Sequence, residues 1–216
     1  MPEKKSFLSD ARLVFFSSRR FLEERFLLLP AKRIFALAFL GVFLGLGLGG
    51  LINYAISLAV EHDFLDRVEM YHSALAALGL DKDSFIEMLK LQRSYSFLLA
   101  VLSPVIAYMA PHIFGGALFI FLRLLVRLPE IKIDFFHTME CASVALCSMI
   151  FYAIPFIGPL LAVTLVVLNL SRALFKQYKM TGFMKGMSIF SALYLCFFIP
   201  AATLQVLAQN MVHLFK

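Results

Sequence analysis

Charged residues are scarce in this sequence of 216 residues: Asp, Glu, Lys and Arg make up 16% of it, whereas hydrophobic residues make up 61%. A soluble domain of this length has fewer apolar and more charged residues. The apolar residues also form long uninterrupted stretches, each about the length that crosses a bilayer. The composition therefore excludes an ordinary soluble domain and indicates an integral membrane protein.

Cysteines and catalytic motifs are also sparse. Cys141, Cys147 and Cys196 all lie in apolar stretches without a CxxC pair, so we expect neither a disulfide framework nor a thiolate metal site. The sequence contains no P-loop, no HExxH and no GxSxG motif. It therefore predicts no enzyme, no cofactor and no catalytic or metal site.

We predict an all-α protein with a cytoplasmic segment at 1–33 and a five-span membrane domain at 34–216. The spans lie at about 34–60, 95–122, 137–155, 157–175 and 186–208, with an extracytoplasmic helical insert at 61–93. About three quarters of the 20 Lys and Arg residues then lie on the side of the N-terminus, which places that end in the cytoplasm and the C-terminus outside. Because the net charge of +6 lies beside the spans, we expect no nucleic-acid partner.

The first 33 residues mix aromatic and basic side chains in a pattern that predicts an amphipathic helix. One placement lays this helix on the anionic inner surface of the membrane, with basic side chains at the lipid headgroups. The other packs it against the protein's own cytoplasmic face. The residues concerned are the aromatic Phe15, Phe16, Phe21 and Phe26 and the basic Arg19, Arg20 and Arg25.

Glycine and proline mark two packing features. Gly41, Gly45 and Gly49 recur every four residues in the first span, a spacing that lets another helix approach closely, either within the bundle or in a second copy. Pro155, Gly158 and Pro159 predict a tight turn between two short helices, and we expect a positive φ at Gly158. The turn can join two full spans or form the tip of a re-entrant hairpin, because both return to the same side.

Three polar residues lie within or beside the predicted spans: Glu140, His137 and His112. An acid inside a membrane is a functional candidate by default, but here Glu140 can pair with Arg172 or Lys176, which is the interpretation we favour. For His112 we expect a hydrogen bond to a carbonyl freed by the neighbouring Pro111.

The chain from about 111 to 198 resembles the membrane domain of the YIP (Ypt-interacting protein) family in its compact bacterial form. The resemblance lies in four features: the pair Gly115 and Gly116, the run Asp134-Phe135-Phe136-His137-Thr138, the run Ile154-Pro155-Phe156-Ile157-Gly158-Pro159, and a helix that ends at Leu174-Phe175 before a basic loop and a final span. It implies a five-span fold without enzymatic activity, in a bacterial inner membrane.

Eukaryotic members of that family act in vesicle trafficking, bind small GTPases and associate with one another. This sequence lacks their Asp-Leu-Tyr-Gly-Pro motif and their long soluble N-terminal domain, so GTPase binding is not expected here. The expected function is a non-enzymatic membrane scaffold or accessory subunit that binds lipid, other membrane proteins or itself. The alternative is a small transporter with a polar site near His112 and Glu140, since transporters use broken helices and intramembrane acids.

Overall fold

The computed structural model describes residues 6–66, 81–125, 132–180, 182–194, 202–203 and 205–206, and these are all helix, turn or short connection. Within them, four helical stretches are long and apolar enough to cross a membrane: Ala31–Leu65, Lys82–Leu124, Phe135–Ala153 and Gly158–Tyr178. The all-α prediction is confirmed in this part of the chain, and the four stretches indicate a multi-pass membrane protein. The predicted fifth span, 186–208, lies partly outside the described residues.

Two long helices, α3 (Ala31–Asp66) and α4 (Lys82–Leu125), pack against each other in antiparallel fashion. Aromatic contacts fix their register at three levels, Phe35 with His112, Tyr54 with Phe97 and Phe64 with Phe85. An ion pair of 2.6 Å joins Glu61 of α3 to Arg93 of α4. The pair thus forms the long axis on which the shorter helices pack.

The predicted helical insert at 61–93 is not a separate element where the structure describes it. Its first residues continue α3 without a break to Asp66, and its last residues, from Lys82 onward, form the beginning of α4. Asp81 caps α4, because its carboxylate accepts the backbone N–H of Ser84 at 2.7 Å. This cap lowers the pKa of Asp81. The remainder of the insert, 67–80, lies outside the described residues.

A hairpin of residues 135–178, called the hairpin below, packs beside this pair. Its ascending arm is α5 (Phe135–Leu146) followed by a 3₁₀ helix (Cys147–Ala153), and its descending arm is α6 (Gly158–Tyr178). A 3₁₀ helix rises about 2.0 Å per residue against about 1.5 Å in an α-helix, so the ascending arm gains length without extra residues. A further helix, α7 (Gly182–Leu193), follows and packs mainly on α4.

The N-terminal segment, residues 6–30, folds back on the bundle as two short helices, α1 (Phe7–Phe16) and α2 (Ser18–Glu24), and a 3₁₀ turn (Phe26–Leu28). Ser6 caps α1 by accepting the N–H of Leu8. The helix predicted there is therefore two helices, broken at Ser17, whose φ of −143° and ψ of 48° are not helical. The break lets both helices place apolar side chains against the same bundle.

Prolines Pro104 and Pro111 lie inside the continuous helix α4. Because Pro104 has no N–H, the carbonyl of Ala100 loses its helical donor, and the Ser103 hydroxyl donates to it at 2.8 Å. His112 Nδ1 lies 3.1 Å from the carbonyl of Tyr108, next to Ala107, the residue whose carbonyl Pro111 leaves without a helical donor. The prediction that His112 bonds the carbonyl freed by Pro111 is therefore wrong, because the bond goes to the neighbouring carbonyl of Tyr108.

Candidate functional site

The glycine groove of α3 is filled by the hairpin. A Cβ at Gly41 would lie 2.6 Å from the carbonyl oxygen of Cys147, and one at Gly45 would overlap the carbonyl of Met149. At Gly49 the nearest atoms belong to Tyr152 and Ala153. The 3₁₀ helix therefore lies backbone to backbone against α3, and the groove serves packing within this chain.

The hairpin turn departs from its predicted geometry in one respect. The left-handed residue is Phe156, with φ of 64°, and not Gly158. Gly158 is needed for a different reason: a Cβ there would meet the carbonyl oxygens of Phe151 at 2.6 Å and Tyr152 at 2.8 Å. Pro159 follows as the second residue of α6, where proline fits a helix because the first turn needs no N–H donor. Pro155 starts the turn, after the 3₁₀ helix has ended.

Hydroxyl groups hold the base of the hairpin together. Tyr178, at the end of α6, donates to the carbonyl of Asp134 at 2.9 Å, and Thr138 of α5 lies 2.9 Å from the Tyr178 hydroxyl. The Asp134 carboxylate caps α5 by accepting the N–H of His137, which lowers the pKa of Asp134. The bonds of Asp134 and Thr138 with Tyr178 therefore tie the two arms together at the base of the hairpin.

An ion-pair cluster anchors the N-terminal segment. Asp10 of α1 is fully buried and its two carboxylate oxygens accept from Arg25 at 3.3 Å and from Arg33 at 2.9 Å. Two arginines around one carboxylate satisfy a charge that would otherwise be costly to bury. The cluster links α1, the end of α2 and the start of α3.

The phenylalanines predicted to be buried divide into two groups. Phe15, Phe21 and Phe26 are buried in the common core of the protein, whereas Phe16 is 73% exposed. The alternative of docking on the protein's own face therefore describes the first three. Arg25 does not lie at the surface with the other two arginines, because its side chain, 12% exposed, is held by Asp10.

Arg19 and Arg20 are the exposed arginines of this segment. They form ion pairs with Glu23 and Glu24, one helical turn along α2. Such exposed pairs contribute little to stability, so both guanidinium groups stay accessible to other anions.

A polar chain links the N-terminal segment to the hairpin. The Ser18 hydroxyl donates to Asn169 Oδ1 at 3.0 Å, and Asn169 Nδ2 donates to the Ser148 hydroxyl at 2.7 Å. Asn169 is buried in α6, and Ser148 is buried in the 3₁₀ helix. Further along, Lys176 approaches the carbonyl of Glu23 at 3.5 Å. Helix α2 thus runs beside α6 and in the same direction.

The expected ion pair of Glu140 with Arg172 or Lys176 is absent from the described residues. Arg172 is exposed on α6, and Lys176 donates to the carbonyl of Glu23 on α2. Glu140 is partly buried on α5 and interacts electrostatically with His137 and Asp134 of its own element.

Among the described residues, no hydrogen bond or ion pair joins the two residues of the predicted transport site. His112 is exposed on α4, where it stacks on Phe35 at 5.7 Å and binds its own helix. The electrostatic partners of Glu140 lie on its own element. Within the described ranges, no group of three or more His, Cys, Asp or Glu residues is arranged to hold a metal ion.

No family model, curated protein or solved structure matches this chain.

Sequence reasoning did not single out Asp10, Ser18, Ser148 or Tyr178. The role of Asp10 could have been inferred from its position. It lies four residues before Val14 on the apolar face of α1, and an acid on an apolar face needs a charged partner. The Ser18–Asn169 bond joins residues 151 positions apart and leaves no mark in local sequence.

Proposed function

We propose that this protein is a non-enzymatic helical scaffold of a cell membrane that binds anionic lipid and other membrane proteins through its N-terminal segment. The single observation that carries the proposal is that the buried polar side chains bond to one another or to their own helix. Asn169 joins Ser18 to Ser148, and Ser143 donates to its own helix at Met139. Asn169 and its two serine partners hold helices together, and Ser143 is satisfied within its own helix.

The outer face of the N-terminal segment supports the binding part of the proposal. Leu8, Phe16, Leu27 and Leu28 are more than half exposed, and Arg19 and Arg20 lie beside them. A face with large apolar and basic side chains suits the boundary between headgroups and hydrocarbon. Each basic residue near an anionic surface contributes on the order of 1 kcal/mol.

The cytoplasmic N-terminus, the last span at 186–208 and the resemblance to the YIP membrane domain belong to this proposal, with the hairpin either as two of five spans or as a re-entrant segment. A scaffold without catalytic groups agrees with that resemblance. Small-GTPase binding is not part of the proposal, because the motif that accompanies it is missing.

The lipid test uses the purified protein in a neutral detergent. Adding an anionic phospholipid should raise the unfolding temperature more than adding a zwitterionic one, and Arg19→Gln with Arg20→Gln should remove most of that difference. The matched control is Lys82→Gln, a basic residue at the far end of α4. An equal effect of both lipids on the native protein would contradict lipid binding at this face.

The transporter alternative rests on Glu140, a partly buried acid without an ion-pair partner among the described residues. Proteoliposomes loaded with a pH-sensitive dye test it. The scaffold proposal expects proton leakage equal to that of empty vesicles, and no change with Glu140→Gln. Leakage that the native protein causes and Glu140→Gln abolishes would favour the transporter.

A further inference from the structure

The tip of the hairpin displays an apolar surface. Phe156, Ile157 and Leu160 are 86%, 62% and 75% exposed, and no residue from Phe151 to Val163 is charged. Phe156 has this exposure with a φ of 64°, a backbone conformation that bulky residues rarely adopt. A turn that faced water would favour glycine or asparagine at this position.

The backbone of the turn needs little water. Pro155 and Pro159 have no N–H to satisfy. Of the six other N–H groups from Ile154 to Leu161, four donate to carbonyls within the hairpin, at 2.8–3.1 Å: Ile154 to Phe151, Ile157 to Pro155, Gly158 to Ile154 and Leu161 to Ile157. Because an unsatisfied amide in hydrocarbon costs several kcal/mol, this bonding suits immersion in lipid.

The register places the tip well below the outer end of the long pair. Tyr152 and Ala153 pack at Gly49, and by Gly158 the chain has already turned back. From Gly49, α3 continues twelve residues to the ion pair of Glu61 with Arg93, a rise of about 18 Å.

The surface of the long pair above the tip is apolar. On α3, Leu51 and Leu58 are 56% and 41% exposed, and on α4, Phe97 and Val101 are 48% and 55% exposed. The exposed side chains of α3 from Leu51 to Val60 are all apolar and suited to hydrocarbon, which places the outer boundary of the membrane near Glu61 and Arg93.

The inner boundary follows from the thickness of the bilayer. Hydrocarbon of about 30 Å extends some 20 residues down α3 from Glu61, to the level of Gly41. Cys147 packs there, next to Ser148 of the polar chain that reaches Ser18. The exposed charges of α2 follow directly after Ser18 and so lie at this boundary. Exposed apolar side chains continue below this level on α4, at Ile113, Ile120 and Leu124, so the α2 charges and not the end of the apolar surface define this boundary.

We propose that the hairpin is re-entrant: it enters the membrane from the cytoplasmic side, and its tip contacts lipid acyl chains in the interior of the bilayer. Phe156, Ile157 and Leu160 form the lipid-contacting surface. The two arms then do not count as full spans, and α3 and α4 are the helices among the described residues that cross completely.

The test uses the absence of tryptophan from the sequence. Phe156→Trp gives the full-length protein a single reporter at the tip, Leu160→Trp gives a second one in case the first variant does not fold, and Val60→Trp is the control near the outer boundary. Each variant is reconstituted into vesicles of lipids brominated near the chain ends or near the glycerol, and fluorescence quenching is compared.

The expected result is strongest quenching of the tip reporters by bromine near the chain ends, with emission at shorter wavelength than the Val60→Trp control. Quenching of the tip by bromine near the glycerol, equal to that of the control, would mean two full spans and overturn the proposal. Protection from both lipids and from aqueous acrylamide would mean that protein covers the tip, in this chain or in a second copy, and would overturn it as well.

Discussion

At the scale of single residues, Asp10 has the largest expected influence on the fold. It is a fully buried carboxylate whose two oxygens bind two different arginines, Arg25 and Arg33. Losing the carboxylate would leave two positive charges close together in a partly buried site. A buried pair broken on one side usually costs about 3–5 kcal/mol, and partial exposure of the arginines reduces this to about 2–3 kcal/mol here.

We therefore expect Asp10→Asn to release the N-terminal segment and to lower the unfolding temperature in detergent. Limited trypsin digestion should then cleave at Arg19, Arg20 and Arg25 faster than in the native protein. The matched control is Glu23→Gln, which removes an exposed pair with Arg19 and should change stability by less than about 0.5 kcal/mol. Similar digestion rates for Asp10→Asn and the native chain would contradict the anchoring role.

Asp134 gives a prediction about pH. Its carboxylate accepts the N–H of His137, so its pKa in the folded protein lies below the ordinary 3.8. A lowered folded pKa means that the carboxylate stabilises the fold above pH 3.8, and that this stability is lost as pH falls through the lower folded value. Asp134→Ala should therefore be less stable than the native protein at pH 7.

The pH series compares unfolding temperatures of Asp134→Ala and the native protein from pH 7 to about pH 3. The difference between them should shrink at the acidic end, because protonation removes the charged acceptor from the native chain as well. Asp134→Asn is the control, since asparagine also caps helices and should retain much of the stability. A difference that is unchanged across the series would exclude the carboxylate charge as its source.

At the scale of elements, the hairpin is held by close backbone contact with α3. Alanine at Gly45 or Gly158 would place a methyl group against main-chain carbonyls of the hairpin, which have little room to move. We expect each variant to lower stability by about 1–3 kcal/mol, as overpacking typically does. Gly116→Ala is the control, because no atom lies within 4 Å of a Cβ there. Thermal unfolding of all three in the same detergent measures the effect, and equal midpoints would contradict the packing.

Features set by neighbouring residues could be predicted from the sequence, whereas features set by contacts between residues far apart in the sequence could not. The turn at Pro155–Pro159 follows from local chemistry and lies where the sequence indicated. The spans predicted at 34–60 and 95–122 lie within longer helices, because charged residues such as Glu61 and Arg93 continue α3 and α4 and pair with each other. A positive φ was expected at Gly158, but Phe156 has it. Glycine is required at 158 because the chain approaches closely there, and such a tertiary contact cannot be predicted from local sequence.

At the scale of the whole molecule, charge separates the two ends of the bundle. The end at which α3 starts and α6 finishes contains Arg33, Lys176 and Lys179, together with the arginines of the N-terminal segment. The opposite end contains Glu61, Asp81 and Asp83. The positive-inside rule therefore predicts that the basic end faces the cytoplasm.

Single-cysteine labelling of intact cells with a membrane-impermeant maleimide tests this orientation. Cys141 and Cys147 are buried, so a background with Cys196→Ser should react weakly. In that background, Lys82→Cys at the exposed start of α4 should be labelled from outside, whereas Lys179→Cys, exposed beyond α6, should react only after the cells are lysed. The result expected at Lys179 does not depend on the form of the hairpin, because a re-entrant hairpin and two full spans both keep this residue inside. Labelling of Lys179→Cys in intact cells, with Lys82→Cys protected, would show the reverse orientation and would move the arginine face of the N-terminal segment to the outer leaflet.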